Sequence, residues 1–290
     1  MKTKQKGSGW SVKLVFDLYK LFGYKFIYYL MYPVTFFYFI FDSNVKNSLK
    51  IYYKHLDIEL TNRIYYEHLR IFAISMVDRF ISKADSESYT FLYEDQEPLL
   101  EILSNTTILL QSHFGGWAAS SNVSRSTNKI NIVMREVSVE GVKDIENSIE
   151  AKTNVSIIDL KSGPISVSVQ IANALMNNEV VAMMGDRASN DKAAISVKFL
   201  NEDAYFNKNP FQIAYKTNKP ILIYFVIFID AQTYKIEYLR VDLDATKHEN
   251  EAILEAVELY VKKYENVIRR HPNQWFNFYD FWDKGPRDLS

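Results

Sequence analysis

The chain has 290 residues, a net charge of −1 and no cysteine, with 48% hydrophobic and 15% aromatic residues. That balance excludes a nucleic-acid binder working through bulk positive charge. The missing cysteine excludes disulfides, thiolate nucleophiles and cysteine-based metal sites.

The N-terminus opens with Lys2, Lys4 and Lys6, followed by "GWSVKLVFDLYKLFG" and "YKFIYYLMYPVTFFYFIF". No small-residue cleavage site follows, and Lys25 and Pro33 interrupt the apolar run, so it does not read as a secretory signal. Residues 26–41 are short for a membrane span, which needs roughly 20 apolar residues. Their tyrosine-rich, lysine-flanked character suits the bilayer interface. Lys13, Lys20, Lys25, Lys46, Lys50 and Lys54 add attraction for anionic lipid. The competing interpretation is an aromatic helix buried in a core. Residues 1–44 are therefore expected to form a membrane-associated helical segment, and residues 45–290 an α/β domain.

Residues 44–82 lack Pro and Gly and repeat their apolar positions near 3.6, which predicts one long or two stacked amphipathic helices. From Tyr89 onward, short β-rich runs alternate with helical stretches: "SYTFLYE" and "EPLLEILS", "TTILLQS" and a helix opening at Gly-Gly, "INIVMRE" and "EGVKDIENSIEAK". "VSIIDL" with "PISVSVQIANALMNN", and then "EVVAMMGD", continue the pattern. Such alternation signals an α/β fold with a mainly parallel sheet flanked by helices. "VKFLNEDAYFNKNPFQIAYK" reads as an aromatic turn leading to a proline-opened helix. Two longer strands then meet at 230–233, a helix covers about 249–270, and the aromatic tail "HPNQWFNFYDFW" follows. The tail's density of rings favours packing, with some membrane contact.

Ligands of an α/β sheet gather beyond the C-terminal ends of its strands. His113 falls at such an end, and histidine is the usual general base near neutral pH. Gly115 and Gly116 permit close backbone approach, and the amides beside them are candidates to face developing negative charge. A capping or core histidine is the plainer alternative. A second strand ends in Gly185-Asp186-Arg187, where Asp186 could orient the imidazole and Arg187 could bind phosphate or carboxylate. A local ion pair would explain that pair equally simply. Arg135, at the end of "INIVM", is another cation on this side, or an exposed loop arginine. His55, His68, His248 and His271 show no ligand spacing, so no metal site is expected.

Taken in order, "YPVTFFYFIF", "HFGGW", "MGDR", "VKFL…AYF…NPFQIAYKTNKPILIYFV" and "HPNQWFNFYDFW" resemble the lysophospholipid acyltransferase superfamily, in its lipid A late-acyltransferase-like branch. The resemblance spans nearly the whole chain. It implies transfer of a fatty acyl group from acyl carrier protein or coenzyme A, as co-substrate and without a cofactor, to a hydroxyl or amine of a lipid. The expected place is the cytoplasmic face of a bacterial inner membrane, peripheral or with a single N-terminal span. The family hallmark is a His followed four residues later by Asp or Glu. His113 fits the base, but the acid position is Ala118, which accepts no hydrogen bond. Either the carboxylate comes from elsewhere, or the site is degenerate, or Ala118 is an engineered change. The first is preferred, with Asp186 as the acid because its block lies beside the His in the fold that the resemblance implies. Alongside it come oxyanion stabilisation by amides near Gly115 and Gly116 and substrate contact by Arg187, Arg135 and Trp117. The alternative is an inactive membrane protein that binds lipid or acts as a scaffold on the same fold.

Overall fold

The computed structural model describes residues 9–41, 43–117, 128–135 and 154–283. Helix α1 (Gly9–Phe41) is broken at Gly23, whose φ of 75° leaves the helical region. The 44–82 stretch is two helices, α2 (Ser43–His55) and α3 (Asn62–Ala84). Thr61 starts the second by accepting the Ile64 amide on its side chain at 3.2 Å. An expected domain boundary at 44/45 would fall inside α2, and α1 itself packs along α3.

Seven strands form the main sheet in the order β1-β9-β8-β2-β5-β3-β4. They are β1 (Thr90–Tyr93), β2 (Ile108–Gln111), β3 (Ile130–Met134), β4 (Val155–Asp159), β5 (Val180–Met184), β8 (Ile221–Asp230) and β9 (Thr233–Val241). Only the β8–β9 pair is antiparallel, closed by the short turn expected at 230–233. The central strands β2 and β5 are apolar on both faces, as a sheet covered on both sides requires. Helices α4 (Glu97–Leu103), α5 (Pro164–Met176), α6 (Asn209–Thr217) and α7 (Glu249–Arg270) complete the described set.

The stretch read as an aromatic turn is instead a hairpin of β6 (Ala194–Phe199) and β7 (Glu202–Asn207), forming a separate two-stranded sheet. Leu200 and Asn201 both have positive φ at its tip, the geometry of a two-residue hairpin turn. A leucine is an unexpected residue for that position, so the sequence hid the turn.

Two apolar clusters cover opposite faces of the sheet. One joins α2, α5, α6 and α7 to β2, β8, the small hairpin and the aromatic tail. The other joins α1, α3 and α4 to β2, β5, β8 and β9. Tyr24, Ile27 and Met31 of α1 belong to the second, so one side of this helix is buried in the protein. No helix among the described residues is long and apolar enough to cross a membrane.

Candidate active site

Strand register brings the principal side chains together. Gln111 of β2 pairs with Met184 of β5. The residues two places beyond each, His113 and Asp186, therefore leave adjacent parallel strands at the same level. Both Asp186 oxygens lie 3.0 Å from His113 Nδ1, and one also accepts the His113 amide at 3.0 Å. The acid is sealed off, with 0% of its side chain exposed, whereas the imidazole keeps 23%. Such a division lets a substrate reach the base but not its partner.

Protonation follows from this geometry. Burial alone would raise the Asp186 carboxyl, but the neighbouring charges of His113 and Arg187 and the His113 hydrogen bonds hold it below its ordinary value. Burial lowers the His113 imidazole and outweighs the opposing pull of Asp186, with Arg187 acting in the same direction as burial. At neutral pH the pair is carboxylate and neutral imidazole. A carboxylate only accepts, so the Nδ1 proton faces Asp186 and the Nε2 lone pair is left as the basic atom.

The loop 112–116 is tied at every turn. The His113 carbonyl accepts the Phe276 amide at 2.9 Å, and the Ser75 hydroxyl of α3 donates to the Gly115 carbonyl at 2.8 Å. The Gly115 amide donates to the Gln274 carbonyl at 2.9 Å, and the Gly116 amide to the Val226 carbonyl at 2.8 Å. The amides of Gly115 and Gly116 themselves are thus occupied by protein carbonyls. The glycines answer a packing need. A Cβ on Gly115, at φ +57°, would lie 1.9 Å from the Val226 carbonyl oxygen, and one on Gly116 would lie 2.2 Å from the Tyr234 ring.

Arg187 donates through Nη2 to the Phe276 carbonyl at 2.8 Å and lies 5.4 Å over the Tyr279 ring. Among the described residues its buried Nε has no hydrogen-bond partner. Segment 274–276 thus holds both His113 and Arg187. Gln274 anchors that segment, giving and accepting 2.8 Å hydrogen bonds with the backbone of Phe228 as a neighbouring strand would. Neither Ser75 nor Gln274 was singled out in the sequence. Only the unusual burial of two polar side chains marks them, and burial is not written in local spacing.

Trp117 sets its ring 5.3 Å from that of His113, edge-on. Arg135 is exposed at the end of β3, next to β5, which ends in Asp186, and separated by β5 from β2, which ends in His113. Ala118 lies outside the described residues. Among the described residues no group of three or more His, Asp or Glu is placed to hold a metal ion.

A comparison with curated proteins returns no match. Residues 71–284, most of the chain and all of the dyad's surroundings, match the family model described as bacterial lipid A biosynthesis acyltransferase. With an α/β sheet and a hydrogen-bonded His–Asp pair already in view, the chain belongs to the bacterial lipid A biosynthesis acyltransferase family and is an acyltransferase that uses an acyl donor and a lipid acceptor.

Proposed function

We propose that His113 is the general base of this acyltransferase and that Asp186 is the acid that orients it. The observation carrying this reading is the placement of both Asp186 oxygens 3.0 Å from Nδ1 of a part-exposed imidazole. His113 Nε2 takes the proton from a hydroxyl or amine of the lipid acceptor, whose oxygen or nitrogen attacks the thioester carbonyl. The thiolate leaves as the carrier's thiol, with the proton returned by the imidazolium. Asp186 then does the work that the family hallmark gives to the residue occupied here by Ala118. Arg187 holds a phosphate of the acceptor or of the donor's phosphopantetheine arm, because its guanidinium lies close enough to the dyad for its charge to act on His113. Trp117 lies against the acyl or acceptor portion near the imidazole, while Arg135 meets headgroup charge farther along the sheet end.

The donor is an acyl carrier protein or coenzyme A thioester, and the enzyme works at the cytoplasmic face of the inner membrane. Support comes from α1. From Phe26 to Phe41 it carries no charged residue, and its outer face exposes large apolar side chains including Tyr29, Phe36, Phe37 and Phe41. Because the opposite face is packed on α3, the helix meets lipid on one side, in the manner of a monotopic anchor.

The test uses vesicles of bacterial lipid extract and labelled long-chain acyl carrier protein. The enzyme contains no cysteine, so released thiol is measured without background from the protein. Wild type is expected to move label into lipid with matching thiol release. His113→Ala should lower turnover on the order of 10²–10⁴-fold. The acid limb of kcat/KM should fall below the ordinary histidine value of about 6.5 and move lower still in Asp186→Asn, because the carboxylate is the group that raises the imidazole. Thiol release without labelled lipid would indicate a thioesterase. Lipid binding with neither product would favour a non-catalytic scaffold.

A further inference from the structure

Two buried polar side chains on α3 lead toward the loop that carries His113, and the acid–base step uses neither. Ser75 and Asp78 are three residues apart, a spacing that puts both on one side of a helix. They are 2% and 0% exposed. Ser75 donates to the Gly115 carbonyl at 2.8 Å. Asp78 receives the hydroxyl of Tyr234, on β9, at one oxygen and that of Tyr89, at 2.9 Å, at the other. Tyr89 and Phe91 stack on the Tyr234 ring at 6.3 and 5.5 Å. That ring closes on the loop, because a Cβ on Gly116 would come within 2.2 Å of one of its carbons.

The Gly115–Gly116 peptide is consequently gripped from three directions. Ser75 holds its carbonyl, the Val226 carbonyl holds its N–H at 2.8 Å, and the Tyr234 ring backs Gly116. The peptide cannot turn without breaking one of these contacts, and it begins two residues after His113. Burying polar groups on a helix costs free energy that apolar side chains would avoid. Here both buried groups lead to the same peptide, one directly and one through a tyrosine.

We propose that Ser75, Asp78 and Tyr234 are positioning residues for His113, forming a clamp between α3 and the Gly115–Gly116 peptide that keeps the imidazole aligned with Asp186. This inference rests on the His113–Asp186 reading above. No proton passes through the clamp. What it supplies is geometry, on which proton transfer from a bound acceptor depends steeply.

The experiment compares Ser75→Ala and Tyr234→Phe with wild type in the full-length enzyme. Labelled carrier thioester and lipid vesicles report turnover, with thermal melts and proton NMR in detergent run in parallel. Ser75→Ala releases the Gly115 carbonyl, whereas Tyr234→Phe keeps the ring against Gly116 but frees it from Asp78. Each should lower kcat on the order of tenfold, short of the roughly 100-fold that a misplacement of about 1 Å costs, with KM held. The downfield proton between His113 Nδ1 and Asp186, recognised by its loss in His113→Ala, should move upfield in both variants, a change that a purely structural role would not produce. Wild-type kcat and an unmoved resonance in both variants would overturn the proposal. So would a loss of kcat no larger than the loss of folded protein. Full transfer by His113→Ala would instead sink the dyad reading itself, so the two failures are distinguishable.

Discussion

Two aromatic-rich stretches, one near each end of the chain, meet opposite fates. In α1 the outer rings stand clear of the protein, with Phe37 59% and Phe41 69% exposed. In the C-terminal segment Trp275 is 0% and Trp282 6% exposed, although the local composition is much the same. The difference lies in partners. Trp275 is surrounded by Tyr52, Phe199 and Phe281, and Trp282 stacks on His55 at 3.6 Å and donates to the Phe199 carbonyl at 3.2 Å. The outer face of α1 has the ring pairs that neighbouring turns supply, such as Phe37 with Phe41 at 4.6 Å. Aromatic content thus sets how much surface seeks cover, and tertiary contact decides how much of it the protein provides.

The comparison is tested most severely at Trp275. Trp275→Ala empties a fully buried site beside the segment that ties His113 and Arg187, and should cost about 3–5 kcal/mol, read by chemical denaturation. A loss below about 1 kcal/mol would mean that the tail is not part of the core.

The inner face of α1 offers a second test. Asp78 of α3 is buried and receives the hydroxyls of Tyr89 and Tyr234, with Tyr24 of α1 a third donor. Burial raises its carboxyl from 3.8 to about 6, and the tyrosine hydrogen bonds only partly offset this. The folded chain therefore binds this proton more tightly than the unfolded chain. The resulting stability is fully present below the unfolded value and is lost as pH rises through about 6. It amounts to roughly 3 kcal/mol. Unfolding of wild type and Asp78→Asn between about pH 4 and pH 7 should show wild type losing that much relative to the variant. Parallel curves would exclude Asp78 as the titrating group.

The smallest effect on stability is expected on the outer face. Phe37→Ser should change the unfolding free energy by no more than about 0.5 kcal/mol while weakening sedimentation with anionic vesicles. A large loss of stability without a change in vesicle binding would show that this face is covered by protein instead.

How much of this was legible in the sequence varies with the range of the interaction involved. His113 and Asp186 stood out because each ends an apolar strand, a feature readable within ten residues. Their pairing is an expectation that the family resemblance supplies; what sets it physically is Gln111 standing opposite Met184, a register fixed by the whole sheet. Gly115 and Gly116 were recognised as points of close approach. What approaches them is β8 and Tyr234, and no local pattern identifies the approaching surface. Arg135 occupies the same sheet end, on the strand next to the one that ends in Asp186 and two places from the one that ends in His113, an order that only the sheet as a whole sets.

By itself the sequence determined the α/β alternation, the hairpin at 230–233, the helix ending at Arg270 and the apolar character of α1, because these depend on periodicity and turn chemistry between near neighbours. Only the tertiary structure decided that Asp186 faces His113, that Gln274 and Ser75 secure the loop, and that one side of α1 is sheltered while the other is bare. Those outcomes depend on residues far apart in the chain meeting in a packed interior, where burial and hydrogen-bond geometry act and sequence spacing does not.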